Sequence, residues 1–229
     1  MLLIGLASRL EAQNYREVSD DAPGIRKFGG LNLQVAVPQG EFADFVGSGY
    51  GASGNVTFMF GQSRQIGIRI GMSWLEYGRT TQTVPLSPTL PGLFADLTTS
   101  NDIFTIGVGP EFHLTRSGFR PYVNGFIGFS LFTTRTSASG TSSSSSFAES
   151  ENFNDFPFAY GVGGGFLYQV SHGKTPVFLD ASLRFEGHST TRYLQEGSIQ
   201  TAPNGSVILN PIESKTDLLV IHAGVQIAF

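Results

Sequence analysis

Eight short segments in which apolar and polar residues alternate, joined by connections that are short and long in turn, predict an all-β fold. With no apolar run long enough for a spanning helix, the fold class is an eight-stranded antiparallel up-and-down transmembrane β-barrel. The purest apolar runs, Leu2 to Ala7 and Leu218 to Ile221, fall far short of the roughly 18 residues that a membrane helix needs.

Composition points the same way. Hydrophobic residues make up 40% of the chain and charged residues 14%, where a soluble domain carries about 25% charged. The 29 glycines and 12% aromatics, with 20 Phe among them, favour strands and close backbone approach over helices. The absence of cysteine excludes disulfides, thiolate metal sites, a cysteine nucleophile and a lipid-anchored cysteine. A net charge of −4 leaves no basic footprint, so nucleic acid is not expected as a partner.

The N-terminus, Met-Leu-Leu-Ile-Gly-Leu-Ala running on to Glu11-Ala12-Gln13-Asn14, reads like the tail of a secretory signal whose positively charged start is missing. Three parts are expected: a signal-peptide remnant over 1–13, a periplasmic segment over 14–27 and the barrel over 28–229.

Within the barrel, Leu31, Leu33, Val35 and Val37 alternate with Asn32, Gln34 and Ala36 in the first strand. In the second, Val56, Phe58 and Phe60 alternate with Asn55, Thr57 and Met59. The third sets Ile66, Ile68, Ile70, Met72 and Trp74 against Gly67, Arg69, Gly71 and Ser73. The fourth sets Phe104, Ile106, Val108, Phe112 and Leu114 against Thr105, Gly107, Gly109, Glu111 and His113. The fifth, Tyr122 to Phe132, opposes Val123, Ile127, Phe129 and Leu131 to Asn124, Gly128 and Ser130, although Tyr122, Phe126 and Phe132 blur the contrast. The sixth sets Phe158, Tyr160, Val162, Phe166, Tyr168 and Val170 against small or polar residues, and the seventh sets Val177, Leu179, Ala181, Leu183 and Phe185 against Asp180, Ser182, Arg184 and Glu186. The last sets Leu219, Ile221, Ala223, Val225, Ile227 and Phe229 against His222, Gly224 and Gln226.

A soluble sandwich would alternate too, and the occupants of the second face decide between the two. Arg69, Glu111, Asp180, Arg184 and Glu186 all lie mid-strand opposite large apolar side chains. An apolar outside around a polar inside is the inverted arrangement of a membrane barrel. The connections agree: 61–65, 115–120 and 171–176 are short, whereas 38–47, 80–100, 133–152 and 188–215 are long. Short turns belong on the periplasmic side and long loops outside, so both ends of the barrel are periplasmic. Ser142 to Ser146 reads as a low-complexity loop, and Ala202-Pro203-Asn204-Gly205 as a hairpin turn between 198–200 and 206–209.

The final strand, Leu219 to Phe229, resembles the C-terminal signature of outer-membrane barrels, with alternating apolar positions ending in Phe. That resemblance implies that Val225, Ile227 and Phe229 are read by the barrel-assembly machinery. Arg120 to Gly128 and Tyr160 to Phe166 look like strands of the small outer-membrane β-barrel superfamily of the OmpA, OmpX and OmpW types, a likeness covering roughly residues 28 to 229. It implies a bacterial outer-membrane location and contact with outer-membrane lipids. Members of the superfamily include adhesins, wall anchors, small-molecule channels and lipid-modifying enzymes, so the fold does not name the activity.

An eight-stranded barrel is just wide enough to be filled by side chains, and Arg69, Glu111, Asp180, Arg184 and Glu186 are expected to form a buried ion-pair network. The function expected is therefore non-enzymatic, exerted through external loops or as an accessory to an envelope protein partner. The alternatives are a narrow channel for small or hydrophobic molecules and an outer-membrane lipid-modifying enzyme. For the latter, Glu186, His188 and Ser189 offer the residue types, but adjacent residues in a strand point to opposite faces. His113 and His222 share the inward face without a recognisable metal spacing. Gly161, Gly163, Gly164 and Gly165 lack the third glycine and the following helix of a nucleotide loop. No catalytic, cofactor or metal site is expected. Tyr50, Trp74, Tyr77, Tyr122, Tyr160 and Tyr168 are candidates for interfacial aromatic girdles.

Overall fold

The computed structural model describes residues 27–61, 63–85, 94–140, 146–194, 199–201 and 207–229. The expected signal remnant over 1–13 and the segment over 14–26 lie outside the described residues, as do 141–145 of the serine run and the turn at 202–205. In chain order the strands are β1 (Lys27–Gln39), β2 (Gly49–Phe60), β3 (Ile66–Pro85), β4 (Phe94–His113), β5 (Phe119–Gly140), β6 (Ser146–Asp155), β7 (Phe158–Ser171) and β8 (Val177–His188). Then come β9 (Thr191–Tyr193), β10 (Ile199–Thr201), β11 (Val207–Leu209), β12 (Ile212–Ser214) and β13 (Asp217–Ala228), and a 3-10 turn, Gly40–Asp44, sits between β1 and β2.

Antiparallel pairing runs β1, β2, β3, β4, β5, β7, β8, β13 and back to β1, closing a ring of eight strands without an edge. The closing seam is β1 on β13, from Phe28 opposite Ala228 to Gln39 opposite Asp217. It is finished by reciprocal backbone bonds between Lys27 and Phe229, both 3.0 Å. The β2–β3 turn is made by Gly61 at φ 71°, a left-handed value that glycine adopts without penalty.

Side chains follow the expected faces. Leu31, Leu33, Ile68, Ile70, Ile106, Val162 and Leu183 are exposed on the outer wall, while Asn32, Gln34, Asn55, Thr57, Glu111 and Asp180 are buried inside. In β5, Tyr122, Asn124 and Ser130 are buried and Val123, Ile127 and Phe129 exposed, so the residues that blur the contrast are large side chains filling the lumen.

Two of the expected long loops are largely strand. β3 and β4 stay paired from Thr80 opposite Thr99 to Pro85 opposite Phe94, and β5 continues with β6 above the membrane up to Ser139 opposite Ser146. At about 3.3 Å per residue, the 20 residues of β4 span roughly 65 Å, far more than an apolar band about 25 Å tall. The outer halves of these hairpins stand in water, where neither face need be apolar. Hydroxyl contacts across the strands join them instead: Thr81 to Thr98 at 3.0 Å, Thr99 to Thr136 at 2.9 Å, and Thr83 donating to Asp96 at 2.6 Å.

The lumen is layered. At the periplasmic end Phe28, Met59, Tyr122, Leu167, Phe178 and Ala228 form one apolar cluster. At the outer end Phe42, Leu75, Tyr77, Ile103, Phe132, Tyr193 and Leu218 form a second. Phe42 comes from the 3-10 turn and Tyr193 from β9, and their rings meet edge to face at 5.0 Å, so two outer connections fold inward to roof the barrel. Polar side chains fill the space between.

Candidate functional site: the polar layer of the lumen

Arg69 of β3 and Glu111 of β4 sit two residues apart in register, since Arg69 lies opposite Gly109 and Gly67 opposite Glu111. Their side chains meet at 2.7 Å, both buried. Arg69 also donates to Asn55 Oδ1 at 2.8 Å, and His113 reaches the other oxygen of Glu111 at 2.9 Å. Removing two charges from water is costly, and close pairing with further hydrogen bonds offsets it. Next to this group, Asp180 accepts from the Tyr122 hydroxyl and from Gln226, each at 2.8 Å.

A second group lies nearer the outer end. Thr105 donates to Glu186 at 3.1 Å and touches Ser130 at 2.7 Å. Ser130 is 2.9 Å from His188 Nε2, and His188 Nδ1 donates to the Thr216 carbonyl at 2.6 Å. Glu186 stands 3.6 Å from the same Nε2.

Of the five charged residues expected to form one network, Arg184 stands apart. Among the described residues it has no ion pair and no hydrogen bond; its guanidinium lies 5.1 Å from the centre of the Phe126 ring. Sequence order misleads here. Same-face neighbours along one strand are roughly 6.6 Å apart for each two-residue step, so Asp180 and Glu186 find closer partners on other strands.

The enzyme reading meets a similar reversal. His188 turns inward, while Ser189 faces out and its hydroxyl accepts from the Phe158 amide at 3.1 Å. The hydroxyl beside His188 belongs to Ser130, which sequence reasoning did not single out because it sits on another strand. In a triad the acid holds Nδ1 while Nε2 faces the nucleophile. Here a backbone carbonyl holds Nδ1, Glu186 lies on the Nε2 side, and Ser130 is completely buried.

His222 is buried, with Nδ1 unpartnered, and among the described residues no group of three metal-binding side chains gathers. The inward glycines serve packing: a Cβ on Gly163 would lie 2.7 Å from the Leu183 carbonyl, and one on Gly161 would collide with Phe126.

Of the six girdle candidates, Tyr50, Trp74, Tyr160 and Tyr168 face outward, but Tyr77 and Tyr122 are buried in the lumen. Tyr77 continues the inward phase of β3 set by Arg69 and Leu75, and the register shift between Glu76 and Gly78 changes the phase only beyond it. Glu76, placed by its sequence on the apolar face, is likewise buried and accepts from the Tyr50 hydroxyl at 2.9 Å. Tyr122 lies on the inward phase of β5, and its hydroxyl is satisfied by Asp180. Val225, Ile227 and Phe229 all face outward on β13 and its end.

A closed ring with an apolar exterior and a charged, layered interior defines a small outer-membrane β-barrel. Among solved structures, Neisserial surface protein A is similar at 16% identity, over 89% of this chain and 97% of that one, with a TM-score of 0.50. The outer membrane protein OprG from Pseudomonas aeruginosa matches at 12% identity over 89% and 95%, TM-score 0.45. The attachment invasion locus protein Ail of Yersinia pestis matches at 14% over 87% and 95%, TM-score 0.40. No protein-family profile and no curated protein matches the sequence. The eight-strand fold implied by the resemblance to the OmpA, OmpX and OmpW types is the fold observed.

Proposed function

We propose that this protein is a non-enzymatic outer-membrane barrel that works through its extracellular hairpins, as a surface for binding or for docking an envelope partner, around a lumen that is a structural plug. One observation carries the reading: apolar clusters fill both ends of the lumen, and the cavity between them measures only about 30 Å³, room for one or two waters. The elongated β3–β4 and β5–β6 hairpins supply polar surface beyond the membrane.

The test is single-channel recording in planar bilayers on protein that shows a heat-modifiable band on electrophoresis. Folded protein without steady conductance supports the reading; reproducible steps from folded protein overturn it in favour of a narrow channel.

The outward Val225, Ile227 and Phe229 are further proposed to be the segment read by the barrel-assembly machinery. Deleting Phe229 then lowers the amount of assembled barrel in cells while refolding from urea into detergent still succeeds.

A further inference from the structure

The charges of the connections divide by side. The periplasmic turns are 61–65, 114–118 and 172–176. Each carries one Lys or Arg and no Asp or Glu: Arg64, Arg116 and Lys174 in turn. Lys27 opens β1 at the fourth junction of the ring, bonded through its backbone to Phe229 at the end of β13. One cation therefore stands at each of the four places where strands meet in pairs at this end, in a chain whose net charge is −4. Lys27, Arg116 and Lys174 are exposed and Arg64 partly so. The outer connections, by contrast, carry charges of both signs, Glu41, Asp44, Asp96 and Glu213 among them.

The backbone at Arg64 is costly. Among the described residues Arg64 is the one non-glycine with a positive φ, 47°. Glycine adopts that conformation freely and a residue with a side chain does not, so the turn gives up stability to keep a guanidinium there. Backbone strain of this kind gathers at functional sites. The turns also fix the height of the cations. At about 3.3 Å per residue, a five-residue connection reaches out and back no more than roughly 10 Å, and a headgroup layer is about 5–8 Å deep. The apolar wall runs up to the turns, with Phe60, Ile66, Leu114 and Phe119 exposed beside them. Lys27 Nζ lies 5.8 Å from the centre of the outward Phe58 ring. The four cations thus stand at the level of the lipid phosphates.

We infer that the periplasmic end of the barrel is a docking surface for anionic phospholipids, its four cations holding the phosphates of the leaflet that faces the periplasm. A phosphodiester takes charge-assisted hydrogen bonds from Lys and Arg alike. The short turns keep these side chains in the headgroup layer, short of wall polymers deeper in the periplasm.

The whole protein is reconstituted in phosphatidylcholine vesicles, and electron spin resonance compares spin-labelled phosphatidylglycerol with spin-labelled phosphatidylcholine at the protein boundary. Every variant is first shown to give the heat-shifted band. Phosphatidylglycerol should be preferred, by about fivefold for a place beside one cation, and the preference should fall in about 1 M salt. Lys27→Gln/Arg64→Gly/Arg116→Gln/Lys174→Gln should abolish it, while Lys215→Gln, at the outer end, should leave it intact. Arg64→Gly alone should weaken the preference yet keep or raise the urea midpoint, a combination that a merely structural arginine would not give. That single variant decides the matter should the fourfold one fail to fold. The inference is overturned if folded wild-type protein shows no preference, or if the preference survives undiminished in the fourfold variant or in Arg64→Gly. Its loss in inorganic phosphate, but not in chloride of equal ionic strength, overturns it too, since the cations would then hold a free ion. Binding to purified cell-wall sacculi through the same four residues, without any lipid preference, would assign this end to the wall instead.

Discussion

Arg69 and Glu111 show what a single buried pair demands of its neighbours. Glu111→Leu alone would leave the Arg69 guanidinium buried with only Asn55, and is expected to cost about 3–5 kcal/mol. Arg69→Met/Glu111→Leu, which removes both charges, should recover most of that. Urea titration in detergent, read by the heat-shifted band, distinguishes the two. Gly107 offers a second test. A Cβ there would lie 2.7 Å from the Phe126 ring and 3.1 Å from the Ile127 carbonyl, so Gly107→Ala should cost about 1–3 kcal/mol. Part of the cost should disappear in a Phe126→Leu background, since residues in contact couple. At this scale the sequence is an uneven guide. The Arg69–Glu111 contact is legible because adjacent strands bring the two together in register. The isolation of Arg184 and the pairing of Ser130 with His188 are not, because both depend on which side chains meet across the lumen.

At the scale of elements, alternation reveals a strand only where one face is apolar. It therefore locates every membrane-crossing strand and misses the outer halves of β3, β4 and β5, whose Thr- and Ser-rich ladders have water on both sides. It also misses the bulge after Glu76, since an inserted residue leaves no compositional mark; the inward place of Tyr77, by contrast, follows from the alternation that sets Arg69 and Ser73 inside. Because those outer ladders carry none of the lumen packing, shortening the β3–β4 hairpin to a tight turn just beyond Thr80 and Thr99 should leave the heat-shifted band and the urea midpoint unchanged. Loss of the folded band would mean that the hairpin supports the barrel itself.

For the whole molecule, the roof over the lumen is one of the layers that bear on permeability. Phe42 packs against Tyr77, Phe132 and Tyr193 at ring separations of 5.7, 6.5 and 5.0 Å. Phe42→Ala should remove about 3–5 kcal/mol of packing. Since the ring of strands does not include Phe42, the barrel should stay folded. Folded Phe42→Ala protein should stay silent in planar bilayers, because the polar layer and the periplasmic cluster still fill the lumen. Conductance steps from it would assign the whole block to the roof instead.

The reciprocal bonds between Lys27 and Phe229 make the order of strands along the chain incidental to the finished ring. A circular permutant that omits residues 1–26, links Phe229 to Lys27 and has new ends cut into the β2–β3 turn would close the same cylinder, since barrel ends that lie side by side tolerate such rewiring. Its last strand would then be β2, no longer β13. Spontaneous refolding in detergent should be indifferent to the change, whereas insertion in a living envelope, if it depends on Val225, Ile227 and Phe229 standing at the end of the chain, should not.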